Sequence, residues 1–310
     1  MRITLPTRGI LLTLFLSLCA AAAALSAQEP LVQAVVIPQR VRLEGSMTRA
    51  QAERAAVENA MAEAVRRVAG VHVSATELML SGDSAGVIAS RYLASVRLDA
   101  EGHVVGWSLE RGRWVTEKRG RRASDLVYDA TVRVLVARDA GRPDDGFRLS
   151  MRGGDEHLRV RGAALAANDE VVLALSSTRA AQLTIVALHG DSVSRLVPNQ
   201  VLRDPRVEAG GESQWPSAEW RERGLHFRVS LPSGVQSRTE VLAAVATLDP
   251  VTWPHPDGAA VTLAEFNRWL VAIPASRRAV AQRTVMVERA GDETERQMAE
   301  GRWQKADGGR

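Results

Sequence analysis

The chain has 310 residues, of which 45% are hydrophobic and 25% charged, and its formal net charge is +4. That length and apolar share suffice for two ordinary domains with buried cores and exclude a chain too polar to fold. The positive charge is almost all arginine, with Lys118 and Lys305 the only lysines, and it is interspersed with Asp and Glu. Such a pattern argues against a nucleic-acid partner.

Arg2 and Arg8 form a positive start, the run from Gly9 to Cys19 is apolar, and Ala20 to Ala24 with Ser26-Ala27 offer small residues for cleavage. This order predicts a secretory signal over residues 1–27 and a mature protein in the periplasm or at the outer membrane. The alternative is an uncleaved anchor, but the apolar stretch falls short of the ~20 residues that span a bilayer. Lipidation at Cys19 is disfavoured because Leu18, rather than a small residue, precedes it. Removal of the signal leaves no cysteine, which excludes disulfides, thiolate nucleophiles and cysteine-based zinc sites.

Residues 31–43 read as a first strand, β-branched and partly alternating. Thr48-Arg-Ala-Gln51 has the form of a capping box and predicts a helix to about Ala69. Its apolar stripe is read as Ala50, Val57, Met61, Ala64 and Val68, with Gly70 as the residue that ends it. Val71-His-Val73 suggests a short strand, Ser81-Gly-Asp-Ser84 a turn, and 85–94 either a short helix or irregular chain. A hairpin follows: residues 104–115 form one arm with Val105, Trp107 and Leu109 on one face, 119–124 the turn, and 126–136 a strictly alternating second arm. The basic cluster Lys118-Arg-Gly-Arg-Arg122 is thereby placed at a solvated hairpin tip. One long helix on an antiparallel sheet predicts an α+β domain over 31–138.

The Gly- and Pro-bearing stretch 139–146 reads as a linker. Beyond it, apolar runs at 158–160, 171–175, 183–188, 193–197, 225–231 and 241–248 predict a mainly β, sandwich-like domain over 147–289. Thr262-Leu-Ala-Glu265 opens a C-terminal helix with Leu263, Phe266 and Leu270 on one face, Trp269 and Ile273 beside it, and Pro274 as its stop. Residues 283–289 suggest an edge strand, and the charged, Gly-rich 290–310 a disordered tail.

Little in these residues points to catalysis. The six histidines form no H-E-x-x-H and no i,i+3 or i,i+4 pair, no Ser lies in G-x-S-x-G, and neither a dinucleotide fingerprint nor a Walker loop occurs. The reading is therefore no catalytic residue, no metal and no cofactor. The candidate ligand or partner contacts are Trp215, Trp220 and Trp253, which lie in or beside Pro-rich loops, and Asn199, in the turn Leu196-Val-Pro-Asn199. Loop tryptophans either clamp a saccharide or peptide or cover a core, and the core reading is favoured.

Two resemblances follow from motifs. Glu44-Gly45, Thr48, the series Ala52, Ala56, Ala60 and Ala64, Gly70 and the stretch 102–109 make residues 40–138 resemble the N-terminal domain of flagellar assembly proteins of the T type and related envelope lipoproteins. Asn168-Asp-Glu-Val-Val-Leu173, Gly190-Asp191, Leu196-Val-Pro-Asn199, Val207-Glu-Ala-Gly210, Pro216 and Glu240-Val-Leu-Ala243 make residues 146–290 similar to the bacterial domain-of-unknown-function family 4384. Val197 stands where that family has Phe, and Leu183 and Ile185 stand near its usual Tyr. The second resemblance implies an exported β-rich module that joins varied partners, without established catalysis. The expectation is a non-catalytic envelope protein that binds or scaffolds other envelope proteins or peptidoglycan, with peripheral membrane association open. The alternative is an exported hydrolase, or a carbohydrate- or peptidoglycan-binding protein, acting on envelope polysaccharide.

Overall fold

The computed structural model describes residues 31–45, 47–69, 102–119, 123–153, 155–162, 164–255 and 259–290. The expected signal, the elements expected between 70 and 101, the expected hairpin tip at 120–122 and the expected tail beyond 290 lie outside the described residues. The fold is mostly β with few helices, α+β in the broad sense.

Strand β1 (Val32–Arg42) leads into helix α1 (Arg49–Ala69). The capping box forms as the sequence predicts: the Gln51 amide donates to Thr48 Oγ1 at 3.2 Å and the Thr48 amide to Gln51 Oε1 at 2.7 Å. Strands β2 (Gly102–Arg119) and β3 (Ala123–Arg138) form the hairpin, and β1 pairs antiparallel with β3 to complete sheet A, in the order β1-β3-β2. Ala56, Ala60, Ala64, Val65 and Val68 of α1 pack on Ile37, Val132, Val134 and Val136. Of the expected stripe, Met61, Ala64 and Val68 are buried, but Ala50 is exposed and Val57 only half-buried, while Ala52 and Ala56 are fully buried. The contact combines the Ala series, whose small side chains let the helix axis approach the sheet, with Met61, Val65 and Val68. The Arg138 guanidinium donates to the Val68 carbonyl, fastening the C-terminal end of α1 where a cation is favoured.

Two bulges in β2, at Val104/Gly106 and Leu109/Arg111, change which face each side chain takes. Val104 packs under α1, whereas Val105 lies on the opposite face with Ala137. Beyond the first bulge, Trp107 and Leu109 oppose Val134 and Val132 on the α1 side. The expected shared face of Val105, Trp107 and Leu109 is thus broken, because an extra residue inverts the alternation. At Gly112 a Cβ would stand 2.1 Å from the Tyr128 hydroxyl, so a side chain there would have to displace the Tyr128 ring, which packs against Trp114 with centroids 5.1 Å apart.

The second half holds two further sheets. Sheet B has the order β10-β6-β4, with β4 Leu149–Arg152, β6 Leu173–Ser177 and β10 Glu212–Trp215. Sheet C runs β12-β8-β7-β11-β13-β5, with β9 (Arg206–Val207) also on β7. Its strands are β5 His157–Val160, β7 Ala181–His189, β8 Ser192–Val197, β11 Ser237–Thr247, β12 Val261–Thr262 and β13 Arg278–Arg289. A short helix α2 (Ala218–Glu222) follows β10, and α3 (Leu263–Val271) follows β12. Sheets B and C face each other through Leu173, Leu175 and Trp215 on one side and Leu183, Ile185, Leu242, Ala244, Val285 and Val287 on the other.

Two expectations fail here. Residues 225–231 make an isolated bridge, Arg228 with Glu170, and no strand. Their alternation records burial of Phe227 and Val229 rather than a ladder, since the neighbouring chain at 169–171 is itself irregular. β13 begins at Arg278 instead of 283 and is covered at its far end by parallel pairing with β5, so it is not an edge there.

Helix α3 is shared between the halves. Its capping box at Thr262 and Glu265 forms as expected, and Leu263, Phe266, Trp269 and Leu270 pack on the second face of sheet C with Val186, Leu188, Val241, Ala243 and Val245. Its other side meets sheet A: Val271 contacts Val105 and Ala137, and Asn267 Nδ2 donates to the Val104 carbonyl at 2.8 Å. The layers therefore run α1, sheet A, α3, sheet C, sheet B. The stretch expected as a linker is held at both ends, by Ala275 N–H to the Ala140 carbonyl at 3.1 Å and by Asp144 to Arg179 at 2.8 Å.

Candidate functional site

The predicted contact residues do not come together. Trp215 is 7% exposed in the core between sheets B and C, its Nε1 donating to Ser213 Oγ at 2.9 Å. Trp253 is 6% exposed on the opposite face of sheet C, 5.1 Å from the Trp269 ring, with the Arg195 guanidinium over it at 5.5 Å. Trp220 is half-buried, with Arg223 over its ring. These rings cover cores and do not surround a common groove. Asn199 closes the turn that carries it: Nδ2 donates to the Leu196 carbonyl at 2.9 Å, and Oδ1 accepts from the Val201 and Leu202 amides at 2.9 and 2.8 Å. That use of both ends of one amide explains an Asn at this position.

Three arrangements missed by sequence reasoning stand out. The first is a polar knot where the halves meet. His103 Nε2 lies 3.2 Å from Asp139 Oδ1, and Arg278 Nη2 lies 2.5 Å from the same oxygen. Arg278 Nη1 donates to the Leu270 carbonyl at 2.6 Å and to that of Ile273, so it also closes the C-terminal end of α3. Burial pushes the Asp139 carboxyl up, but the hydrogen bond and charge of His103, with Arg278, bring it below the usual carboxylate range. With the counter-charges of Asp139 supplied from β2 and β13, this knot acts as a fastener.

The second is a cleft of about 190 Å³ at the open end of the sandwich core. Val171, Leu173, Leu196, Phe227, Val229 and Leu242 form its floor, and His189, Ser194, Arg228, Ser230, Arg238 and Glu240 its rim. β7 and β11 pair antiparallel up to Leu188 with Val241, and His189 and Glu240 are the next residues on the two strands. Arg238 Nη2 donates to Glu240 and, at 3.3 Å, to the Ser230 carbonyl. Burial, then the nearby Arg238 charge, hold His189 below its usual 6.5, so the ring is neutral at pH 7. Arg228 Nη1 donates to the Asn168 carbonyl at 2.7 Å and makes no ion pair among the described residues. The one sequence signal for this site is that His189 and Glu240 bound two apolar runs. Which runs pair is a long-range fact.

The third is the pair of outer strands of sheet A, β1 at one edge and β2 at the other. Of eight large apolar side chains exposed among the described residues, five belong to β1, the residue before it, or β2: Leu31, Val32, Val36, Trp107 and Leu109. This concentration marks β1 and β2 as the least covered apolar surface described.

Among the described residues no three His, Cys, Asp or Glu side chains group as metal ligands, and no helix is long and apolar enough to cross a membrane. No family model, curated protein or solved structure matches the chain. The two family resemblances therefore rest on their short motifs alone.

Proposed function

We propose that this chain is an exported cell-envelope protein that binds or scaffolds other envelope components, and that the open strands of sheet A are its contact surface. The observation that carries the reading is that five of the eight exposed large apolar side chains described lie on or beside β1 and β2, the two outer strands of sheet A. An outer strand offers a row of backbone donors and acceptors to an added strand, and exposed side chains beside that row select the partner. Pro38 sits within β1, and proline is confined to sheet edges because it lacks a ladder donor. The finer architecture, an α+β unit followed by a sandwich-like unit, suits this reading by leaving the two edges of sheet A, between α1 and α3, unpaired among the described residues. As for the rival hydrolase, the only carboxylate in the cleft lining is Glu240, and Arg238 already engages it.

The test has two parts. A fusion of residues 1–30 to a reporter active only outside the cytoplasm should give signal. A photo-cross-linking side chain at Val36 or Trp107 in the full-length protein should then capture the same defined envelope component from both positions, while one at Val201, exposed in the second half, should not. Equal capture from all three, or from none, would end the proposal.

A further inference from the structure

The cleft lies on the far side of sheet C from α3 and serves nothing in the reading above. Its floor is aliphatic and aromatic, and its rim carries two arginines against one carboxylate, with His189 neutral at pH 7. Arg238 is spent on Glu240 and the Ser230 carbonyl. Arg228 has one backbone carbonyl as acceptor and no carboxylate among the described residues. The cleft thus has a surplus of one positive charge at the mouth of an apolar void.

We propose that this cleft binds a small aliphatic carboxylate, its chain against Leu173, Leu196 and Leu242 and its anion toward Arg228. Size sets the scale. At ~30 Å³ per water-sized group, 190 Å³ holds about half a dozen groups, the bulk of a four- to six-carbon acid. Charge sets the sign. A cation at the mouth would meet Arg228 with no free carboxylate, because Glu240 is engaged. An uncharged ligand would gain the floor but leave the guanidinium without its strongest class of partner. Ser194 and Ser230 add hydroxyls at the rim. Asn199 gives the Leu196-Val-Pro-Asn199 turn a second use, since its bond to the Leu196 carbonyl holds in place the residue that forms part of the floor.

The experiment titrates full-length protein, labelled at leucine methyl groups, with hexanoate, hexylammonium and acetate, following the methyl resonances by NMR. Hexanoate should saturably shift Leu173, Leu196 and Leu242 and leave Leu270, on the other face of sheet C, unmoved. Hexylammonium and acetate should shift none of them saturably. Arg228→Gln should weaken hexanoate about tenfold or more, as expected for one charge-assisted contact. Because that change also touches the Asn168 carbonyl, Ala187→Leu is run beside it: Ala187 also lines the cleft, two residues before His189 on β7, and the larger side chain should abolish the shifts with the rest of the spectrum retained. Binding of hexylammonium as tight as that of hexanoate, equal binding by the filled variant, or no saturable shift at millimolar hexanoate would overturn the proposal. None of these outcomes bears on the contact surface of sheet A.

Discussion

The knot and the cleft use the same three chemistries, a histidine, a carboxylate and an arginine, and put them to opposite ends. In the knot, Asp139 lies between His103 and Arg278, whose side chains are 1% and 5% exposed, and Arg278 also satisfies the last carbonyls of α3. In the cleft, Arg238 and Glu240 pair at the edge of a void and His189 stands beside them. Enclosure decides the difference. A charge group with all its partners inside the fold holds elements together, and one bordering an opening keeps capacity for something from outside.

Breaking the knot should have the largest effect. Asp139→Ala leaves Arg278 buried without its counter-charge and should cost about 3 to 5 kcal/mol in urea unfolding. The same carboxylate should shape the acid limb. Its folded pKa lies below the usual 3.8, so its contribution is complete above that pH and is lost as pH falls toward the folded value. Asp139→Asn should flatten the fall in melting temperature over that window, and an unchanged acid limb would remove the knot from the account. Asn267→Ala deletes the bond to the Val104 carbonyl and should cost about 1 to 3 kcal/mol, with amide-exchange protection lost at β2 before β11. At the cleft, Glu240→Gln should cost only about 1 to 2 kcal/mol, because water at the opening can serve Arg238. A loss as large as that at Asp139 would erase the distinction between the two regions. Thr262→Ala, which removes the cap of α3, should cost about 1 kcal/mol by thermal unfolding and sets the lower end of the scale.

What the sequence disclosed was local. The two capping boxes and the strict alternation of β3 depend on residues a few positions apart, and all appear as read. The face of Trp107 was misread because one extra residue in β2 reverses the pattern; Gly106, which stands at the bulge, was its local mark. The α1 stripe was read correctly at Met61, Ala64 and Val68, but it took in the exposed Ala50 and left out Ala52, Ala56 and Ala60. At 225–231 the side chains follow the expected burial but the backbone finds no ladder. The knot joins residues from β2, the end of β3 and the start of β13, and the cleft joins β7, β8, β11 and two loops. The cleft also takes Leu173 from β6, and neither set has a spacing that sequence alone could register.

Synthesis proceeds from the N-terminus, and sheet A is finished long before α3 exists. The Asn267–Val104 bond closes across 163 residues, so a nascent chain must carry Val105, Leu135 and Ala137 uncovered until that helix emerges. This interval is the one in which the growing polypeptide is most open to misassembly. A truncation placed in 139–146 to isolate the first half would make that transient exposure permanent.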